Sequence, residues 1–170
     1  MTAKPRRRWL QFSLGTLLLF VAALCVLLAV RSNRQNNRRV AIAKIESLGG
    51  EIEYLSAWID KKGMYVAGIK VDVPRLSLWA RILGDNPATC IVAIYFRPEW
   101  KLTDADLVYV LSFSEMRILV MGSNQITDAG LLSLSSLSGL VYVVVRANRD
   151  VTEAGVAGLQ KALPKCRIER

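Results

Sequence analysis

Histidine does not occur in this chain of 170 residues. Its absence excludes acid–base catalysis by imidazole, the Ser-His and Cys-His nucleophile pairs, and most zinc sites. Cysteine is scarce, and the three copies, Cys25, Cys90 and Cys166, are too few for a disulfide framework. We expect them to be free thiols, and we predict neither a metal site nor a bound cofactor.

Acidic residues are missing from the first 39 positions, which hold eight of the 23 Lys and Arg residues. The rest of the chain contains 15 basic and 14 acidic residues, so the net charge of +9 belongs almost entirely to the start. Charge next to an apolar segment suits anionic lipid headgroups. No basic stripe with interleaved aromatic residues remains, so we predict no binding to nucleic acid.

An uncharged apolar segment runs from Trp9 to Val30 between two basic clusters. Its last 17 residues, from Leu14, include seven Leu and three Val, which favours insertion into a bilayer. Because 17 helical residues span only about 25 Å, residues 10–13 are needed to cross the ~30 Å hydrocarbon core. We therefore predict a basic tail over residues 1–8 and a transmembrane anchor over Trp9 to Val30.

A cleaved signal peptide and a buried soluble helix are the alternatives for this segment. A signal peptide has a shorter apolar region that ends in small residues, whereas Leu28-Ala29-Val30-Arg31-Ser32 is a poor cleavage site. Four basic residues stand on each side of the segment, so their bias nearly cancels. The free amino terminus favours the cytoplasm, which predicts a single-pass membrane protein with an extracytoplasmic domain.

A short string recurs three times with a period of about 24 residues. The three copies are Leu102-Thr103-Asp104-Ala105-Asp106-Leu107, Ile126-Thr127-Asp128-Ala129-Gly130-Leu131 and Val151-Thr152-Glu153-Ala154-Gly155-Val156. An alternating apolar block precedes each copy and is clearest in Met116-x-x-Leu119-x-Met121-x-x-Asn124. Leu140 to Asn148 repeats this block, and a degraded copy from Ile91 has Glu99 in place of asparagine. Such alternation predicts a short strand with one buried face.

The recurring string has the residues of a helix start. The expected N-caps are Thr103, Thr127 and Thr152. The residues that follow in the first turn, where the helix dipole favours an anion, are Asp104, Asp128 and Glu153. Because these acids recur at one helix position, capping accounts for them better than catalysis does. We therefore predict no catalytic residue and no enzymatic activity.

In these motifs the chain resembles the leucine-rich repeat family, in its ribonuclease-inhibitor-like class. The resemblance covers about residues 90–170 and is carried by the LxxLxLxxN pattern and the T-[DE]-A-x-[LV] string. The opening, Arg8 to Leu18, and the ending, Gly155 to Cys166, are similar to those of short membrane-anchored leucine-rich repeat proteins of planctomycete-type bacteria. The resemblance implies an α/β fold, a short solenoid of about three repeats with parallel strands and convex helices, and a binding role.

Between the anchor and the repeats, the sequence predicts a basic juxtamembrane linker over residues 31–39 and an α+β cap over residues 40–89. Solenoids need atypical ends because an open end exposes the core. The expected elements of the cap are a helix over Val40–Leu48 that ends at Gly49-Gly50, strands over Glu51–Leu55 and Met64–Val73 joined around Lys61-Lys62-Gly63, and a second helix over Leu76–Leu83.

The x positions of the LxxLxL pattern are expected to point to the concave face of the sheet. They form three columns: Ala93, Ile118 and Tyr142; Tyr95, Val120 and Val144; Arg97, Gly122 and Arg146. An apolar centre with aromatic residues and an arginine rim is the composition of a protein-binding patch. The predicted partner-binding residues are Tyr95, Arg97, Ile118, Val120, Tyr142, Val144 and Arg146. The alternatives are that the cap covers this face or that a second copy of the chain covers it.

The sequence thus predicts a membrane-anchored leucine-rich repeat module that binds another protein through its concave strand face. Its other contact is membrane lipid, through the anchor, and a homo-oligomer is a further possible assembly. Two functions of other kinds are kept as alternatives. One is an adaptor or substrate-recognition subunit of a larger complex, and the other is a structural envelope protein without enzymatic activity.

Overall fold

The computed structural model describes residues 14–56, 64–66, 69–71, 90–97, 99, 102–122 and 125–170. Its elements are α1 (Leu14–Ser47), β1 (Glu51–Tyr54), β2 (Met64–Val66), β3 (Ile69–Val71), β4 (Ile91–Phe96), α2 (Leu107–Val110), β5 (Ile118–Met121), α3 (Asp128–Ser133), β6 (Tyr142–Val144), α4 (Glu153–Ala162) and β7 (Arg167–Glu169). Single 3-10 turns cover Asp104–Asp106 and Leu134–Ser136. Four predicted features lie outside the described residues: Trp9, the 61–63 connection, the helix over 76–83 and Asn124.

Helix α1 is continuous from the apolar segment into the folded domain. The part from Gly15 to Ser47 is long and apolar enough to cross a membrane, a property that a signal sequence or a core helix can share. The apolar side chains in the first half of this helix, such as Leu18 and Phe20, are exposed, so the rest of the described chain does not bury them. Residues 31–39, predicted as a linker, are helical, because this polar segment contains neither glycine nor proline.

The end of α1 is set by two glycines, as predicted. Gly49 has a φ of 74°, a left-handed conformation that costs glycine little. The Gly50 amide then donates to the Ile45 carbonyl at 2.8 Å and closes the last turn. Before this end, Ala41 and Ile45 are buried in the domain core. The last turns of α1 are therefore part of the domain.

A five-stranded sheet in the order β1-β4-β5-β6-β7 forms the centre of the domain. Strands β4 to β7 are parallel, which confirms that the segments around Ile94, Leu119 and Val143 are adjacent parallel strands. Strand β1 pairs antiparallel with β4 and extends this sheet. The strand predicted over Met64–Val73 is wrong, since two short strands, β2 and β3, form an antiparallel pair there. The sequence between them contains Gly68, a residue type that strands disfavour.

The sheet is apolar on both faces. One face packs against the helices, because alternate strand residues such as Ile94, Leu119 and Val143 join the cluster that contains Leu107 and Leu131. The opposite face forms a second buried cluster. Its members are Leu55, Val71, Cys90, Val92, Ala93, Ile118, Tyr142 and Val144. The domain is therefore a mixed α/β structure in which the sheet has buried residues on both sides.

Carboxylates connect each strand–helix unit to the next. Asp104 accepts hydrogen bonds from the backbone N–H of Thr127 at 2.9 Å and from its hydroxyl at 2.5 Å. Asp128 repeats this contact with Thr152, at 2.7 and 2.6 Å. The Thr127 hydroxyl also accepts from the Ala129 N–H at 3.2 Å, which confirms its role as an N-cap. We call this series of contacts the Asp–Thr ladder.

The ladder explains the glycine in the recurring string. A Cβ atom on Gly130 would overlap the carboxylate of Asp104, and one on Gly155 would overlap that of Asp128. The first string has Asp106 at the equivalent position, and Thr103 donates its N–H and hydroxyl to this residue at 3.1 and 2.7 Å. An aspartate fits there because Asp106 accepts the hydrogen bonds of Thr103. In the later units, the aspartate of the preceding unit accepts the equivalent bonds.

Asn148 connects the third unit to the second through its side chain. Its side-chain amide donates to the carbonyls of Met121 at 2.7 Å and Val145 at 3.0 Å. Its side-chain oxygen accepts from the Ile126 N–H at 3.5 Å. Asn148 is itself buried, so these backbone groups have little access to water.

Asn148→Ala is expected to lower the free energy of unfolding by about 1–2 kcal/mol, because buried backbone groups lose their partners. The measurement is denaturant unfolding of the full chain in detergent micelles, followed by circular dichroism. The control Arg149→Ala changes an exposed neighbour and is expected to stay within about 0.5 kcal/mol of wild type. Equal stability of the two variants would contradict the connecting role of Asn148.

Candidate functional site

The strand register aligns the predicted columns of the face opposite the helices. One row pairs Ala93, Ile118, Tyr142 and Arg167 across β4 to β7, and the next pairs Tyr95, Val120, Val144 and Glu169. Strand β7 was not foreseen in this arrangement. Its signal was present in the sequence, since Arg167 follows Tyr142 by about one repeat period. We call the face formed by these two rows the inner face.

Much of the inner face is covered by the chain itself. Ala93 and Ile118 are fully buried, while Tyr142 and Val144 are 6% and 8% exposed. Leu55 and other residues of the segment between β1 and β4 belong to the same cluster. Three predicted partner-binding residues, Ile118, Tyr142 and Val144, are thus inaccessible to a partner in this structure. A sheet that is apolar on both sides requires such cover.

A β-bulge contributes to this cover. Glu53 pairs with Ala93 but Tyr54 pairs with Ile91, so Val92 is an extra residue in β4. As a result, Val92 and Ala93 both belong to the cluster on the inner face. Strict alternation, as assumed from the sequence, places only one of these two side chains there.

The other predicted residues lie along the end of the inner face that stays accessible. Tyr95 and Val120 are partly exposed neighbours in register, and Arg97 and Arg146 are exposed beyond them. We call these four residues the open edge: Tyr95, Arg97, Val120 and Arg146. The structure therefore brings four of the seven predicted residues together on an accessible surface.

Carboxylates that the sequence reasoning missed surround the open edge. Arg97 lies 3.8 Å from Glu51 on β1, and Arg146 lies 2.7 Å from Glu169 on β7. Arg97 and Glu51 also line a cleft of about 360 Å³ with Glu46 and Glu99. Since β1 and β7 were not placed beside the predicted columns, their acids were not foreseen. The rim of the open edge therefore carries both signs of charge.

Two tyrosine hydroxyls bind carboxylates on this face. Burial, with the nearby charges of Glu53 and Glu51, raises the pKa of Tyr95 to about 12, so its hydroxyl stays protonated. A hydrogen bond from the Tyr142 hydroxyl lowers the pKa of Glu169 below its ordinary value. Both tyrosines act as neutral donors at physiological pH. Both hydroxyls are thus bound to carboxylates of the same chain.

The cysteines and acids offer little chemistry. Cys90 and Cys166 are buried thiols, as predicted, and burial raises the pKa of Cys166 to about 11. A thiol with such a pKa is a poor nucleophile at neutral pH. Within the described ranges, no cluster of three Cys, Asp or Glu residues is arranged to hold a metal ion.

Comparison with known proteins gives no assignment. No model of a protein family matches the chain, and no curated protein matches it significantly. The units share the parallel register of their strands and the Asp–Thr ladder.

Acid is expected to destabilise the domain through the ladder and through β7. Hydrogen bonds from Thr152 lower the pKa of Asp128, and the bond from Tyr142 lowers that of Glu169. A carboxylate with a depressed folded-state pKa stabilises the fold above its unfolded-state pKa, and this contribution is lost as the pH falls through the folded-state value. The midpoint temperature of thermal unfolding is therefore expected to decrease when the pH is lowered below about 4.

The variant Thr152→Val tests the cause of this acid sensitivity. It removes the hydroxyl donor at nearly constant volume, so the fall in thermal midpoint between pH 7 and pH 3 is expected to be smaller than in wild type. Thr16→Val, which alters a threonine of the exposed apolar part of α1, is the control and is expected to keep the wild-type fall. An unchanged fall in Thr152→Val would contradict the role of Asp128.

Proposed function

We propose that this chain is a membrane-anchored leucine-rich repeat module that presents the open edge to a protein partner. The observation that carries the proposal is the accessible pair Tyr95 and Val120, side by side in register and flanked by Arg97 and Arg146. Aromatic and arginine residues around an apolar centre are enriched where proteins bind one another.

The repeat character is supported by contacts that recur from unit to unit. Strands β4, β5 and β6 are parallel, and a helical segment begins after each at the same threonine of the string. The Asp–Thr ladder and an isolated parallel bridge between Thr103 and Gln125 connect successive units. We interpret these units as a short solenoid with its helices on the convex side. Strand β1, which pairs with the first strand of the solenoid, is then part of the cap.

A binding role agrees better with the acids than catalysis does. Asp104 and Asp128 each accept two hydrogen bonds from the threonine of the next unit. A general acid or base needs a carboxyl group that can exchange protons with a substrate. Carboxylates bound in this way serve the fold, so the proposal assigns no enzymatic activity.

The anchor is supported by the length, apolarity and exposure of the first half of α1. Its exposed apolar side chains include Leu18, Leu19 and Phe20 at 61%, 72% and 68%. In water such a surface favours association, whereas in a bilayer it meets lipid tails. We propose a single-pass protein with its domain on the extracytoplasmic side, an orientation that protease accessibility in intact cells tests directly.

Val120→Arg is the test of the open edge. Because Val120 is partly exposed, a folded variant is expected, checked by circular dichroism, while capture of a partner from a detergent extract is expected to fall by about tenfold or more. The matched control is Leu132→Arg, which places the same charge on an exposed apolar position of helix α3, away from the inner face.

The composition of the captured material separates the functions. A single stoichiometric protein that is lost only in Val120→Arg supports the module proposed here. A multi-subunit complex instead supports an adaptor, and a second copy of the chain alone supports self-association. Equal capture by both variants, or no captured protein, contradicts a partner at the open edge; an empty capture favours a structural role.

A further inference from the structure

A polar groove lies where α1 leaves the apolar segment and meets the domain. It has a volume of about 330 Å³ and is lined by Val30, Asn33, Arg34, Asn37, Arg38 and Ser112. Five of these residues are on α1, whereas Ser112 follows α2 in the first repeat unit. We call this feature the juxtamembrane groove. Because two elements form it, its shape depends on how the domain is fixed to α1.

Several contacts hold the domain against α1. Arg38 forms a buried ion pair with Glu115, and its guanidinium lies over the ring of Phe113 at 5.4 Å. One and two turns further on, Ala41 and Ile45 are buried in the core. These contacts hold Ser112 beside the helix, close to the end of the apolar segment.

The groove lies at the level of lipid phosphates if α1 spans the membrane. Val30 is the last residue of the apolar run, and Arg34 is four residues further along the helix, or about 6 Å at 1.5 Å per residue. The headgroup layer on each side of the hydrocarbon core is about 5–8 Å thick. The guanidinium of Arg34 is thus placed within that layer.

The chemistry of the lining suits a phosphate monoanion. Arg34 provides a planar cation, and Asn33, Asn37 and Ser112 provide an amide or hydroxyl donor each. None of the lining residues in the described part of the chain is Asp or Glu. Val30, at the membrane side of the groove, is an apolar contact for the glycerol end of a lipid. This combination of a cation, neutral donors and an apolar floor distinguishes the groove from a purely electrostatic surface.

We propose that the juxtamembrane groove binds the phosphate of one anionic phospholipid in the leaflet next to the domain. The inference rests on the proposed membrane anchor and adds to it a specific ligand site. A bound lipid contacts α1 and Ser112 at the same time, so it fixes the domain to the bilayer surface at a second point. Free phosphate has the same anionic chemistry, but the apolar floor and the position favour the lipid.

The experiment uses the full chain in mixed micelles with equal amounts of phosphatidylglycerol and phosphatidylcholine, and native mass spectrometry counts the retained lipid. Wild type is expected to retain one phosphatidylglycerol in preference to phosphatidylcholine. Arg34→Gln removes the charge that binds phosphate and is expected to reduce this preference by about tenfold. Arg39→Gln, an exposed arginine of the same helix outside the groove lining, is expected to keep it within about twofold.

A second pair of variants tests the contribution of the domain. Ser112→Asp brings a negative charge into the groove and is expected to abolish the preference for phosphatidylglycerol. Ser135→Asp introduces the same charge at an exposed serine of the 3-10 turn after α3 and is expected to leave the preference unchanged. Near-ultraviolet circular dichroism checks that the variants keep the wild-type packing.

Each remaining result has one interpretation. Equal losses in Arg34→Gln and Arg39→Gln mean general charge attraction and overturn the groove. Retention of both lipids without preference by the intact chain overturns the groove but leaves the anchor. Displacement of the lipid by millimolar inorganic phosphate means a free-anion site and overturns the lipid assignment. Recovery of the chain in a salt-washed aqueous fraction overturns the anchor itself. Cleavage of the chain before residue 31 does the same.

Discussion

Glu115→Ala is expected to lower the free energy of unfolding by about 3–5 kcal/mol. Glu115 forms an ion pair with Arg38, and the two side chains are only 10% and 9% exposed. Removing the carboxylate takes the charge of Glu115 away from a buried guanidinium, and the face of Phe113 compensates only a part of that loss. The measurement is denaturant unfolding of the full chain in micelles.

The double variant Arg38→Met/Glu115→Leu is the matched control. It removes both charges and fills the site with apolar atoms, so a stability within about 1 kcal/mol of wild type, or higher, is expected. Arg146→Ala, which breaks the exposed pair with Glu169, is expected to cost less than about 1 kcal/mol. If Glu115→Ala were no more destabilising than Arg146→Ala, the pair would not fix α1 to the domain.

Gly130→Ala is expected to destabilise the fold by about 2 kcal/mol, although alanine is the better helix former. Its Cβ would overlap the carboxylate of Asp104, which Thr127 holds by two hydrogen bonds. The carboxylate can move away only by giving up those bonds. Thermal and denaturant unfolding measure the loss.

A double-mutant cycle identifies the cause. In an Asp104→Ala background the overlap with the carboxylate is gone and only the Cβ atom of residue 104 stays near, at 3.2 Å, so Gly130→Ala is expected to become stabilising through helix propensity, by up to about 1 kcal/mol. Gly158→Ala is the control within a helix, since its Cβ would meet only the end of the Leu132 side chain at 2.9 Å, which can rotate. The same sign for Gly130→Ala in both backgrounds would contradict the Asp–Thr ladder.

Features that depend on neighbouring residues were predictable. The threonine before each helical segment, the helix end at Gly49 and the apolar helix near the N terminus all follow from local propensity, and the structure agrees with each where it is described. The repeat period also predicted which strands are adjacent, because equal units that each expose one apolar side gain by packing side by side.

The candidate site was predictable only in part. The period placed Tyr95 beside Val120, as the register shows, but a pattern of alternating residues gives no information on what covers a face. The burial of Ile118, Tyr142 and Val144 is caused by a segment that is distant in sequence from β5 and β6. The acids beside Arg97 and Arg146 come from β1 and β7, which the repeat pattern did not include.

The sequence by itself determined the apolar helix, the positions of the helix starts and the order of the parallel strands, because each depends on residues a few positions apart or on a repeated unit. Only the tertiary structure decided that Asp104 binds the threonine of the next unit, that Arg38 is buried against Glu115, and that half of the inner face is closed. These contacts join residues 23 and 77 positions apart, or distant segments of the chain, and their formation depends on the packing of the whole domain.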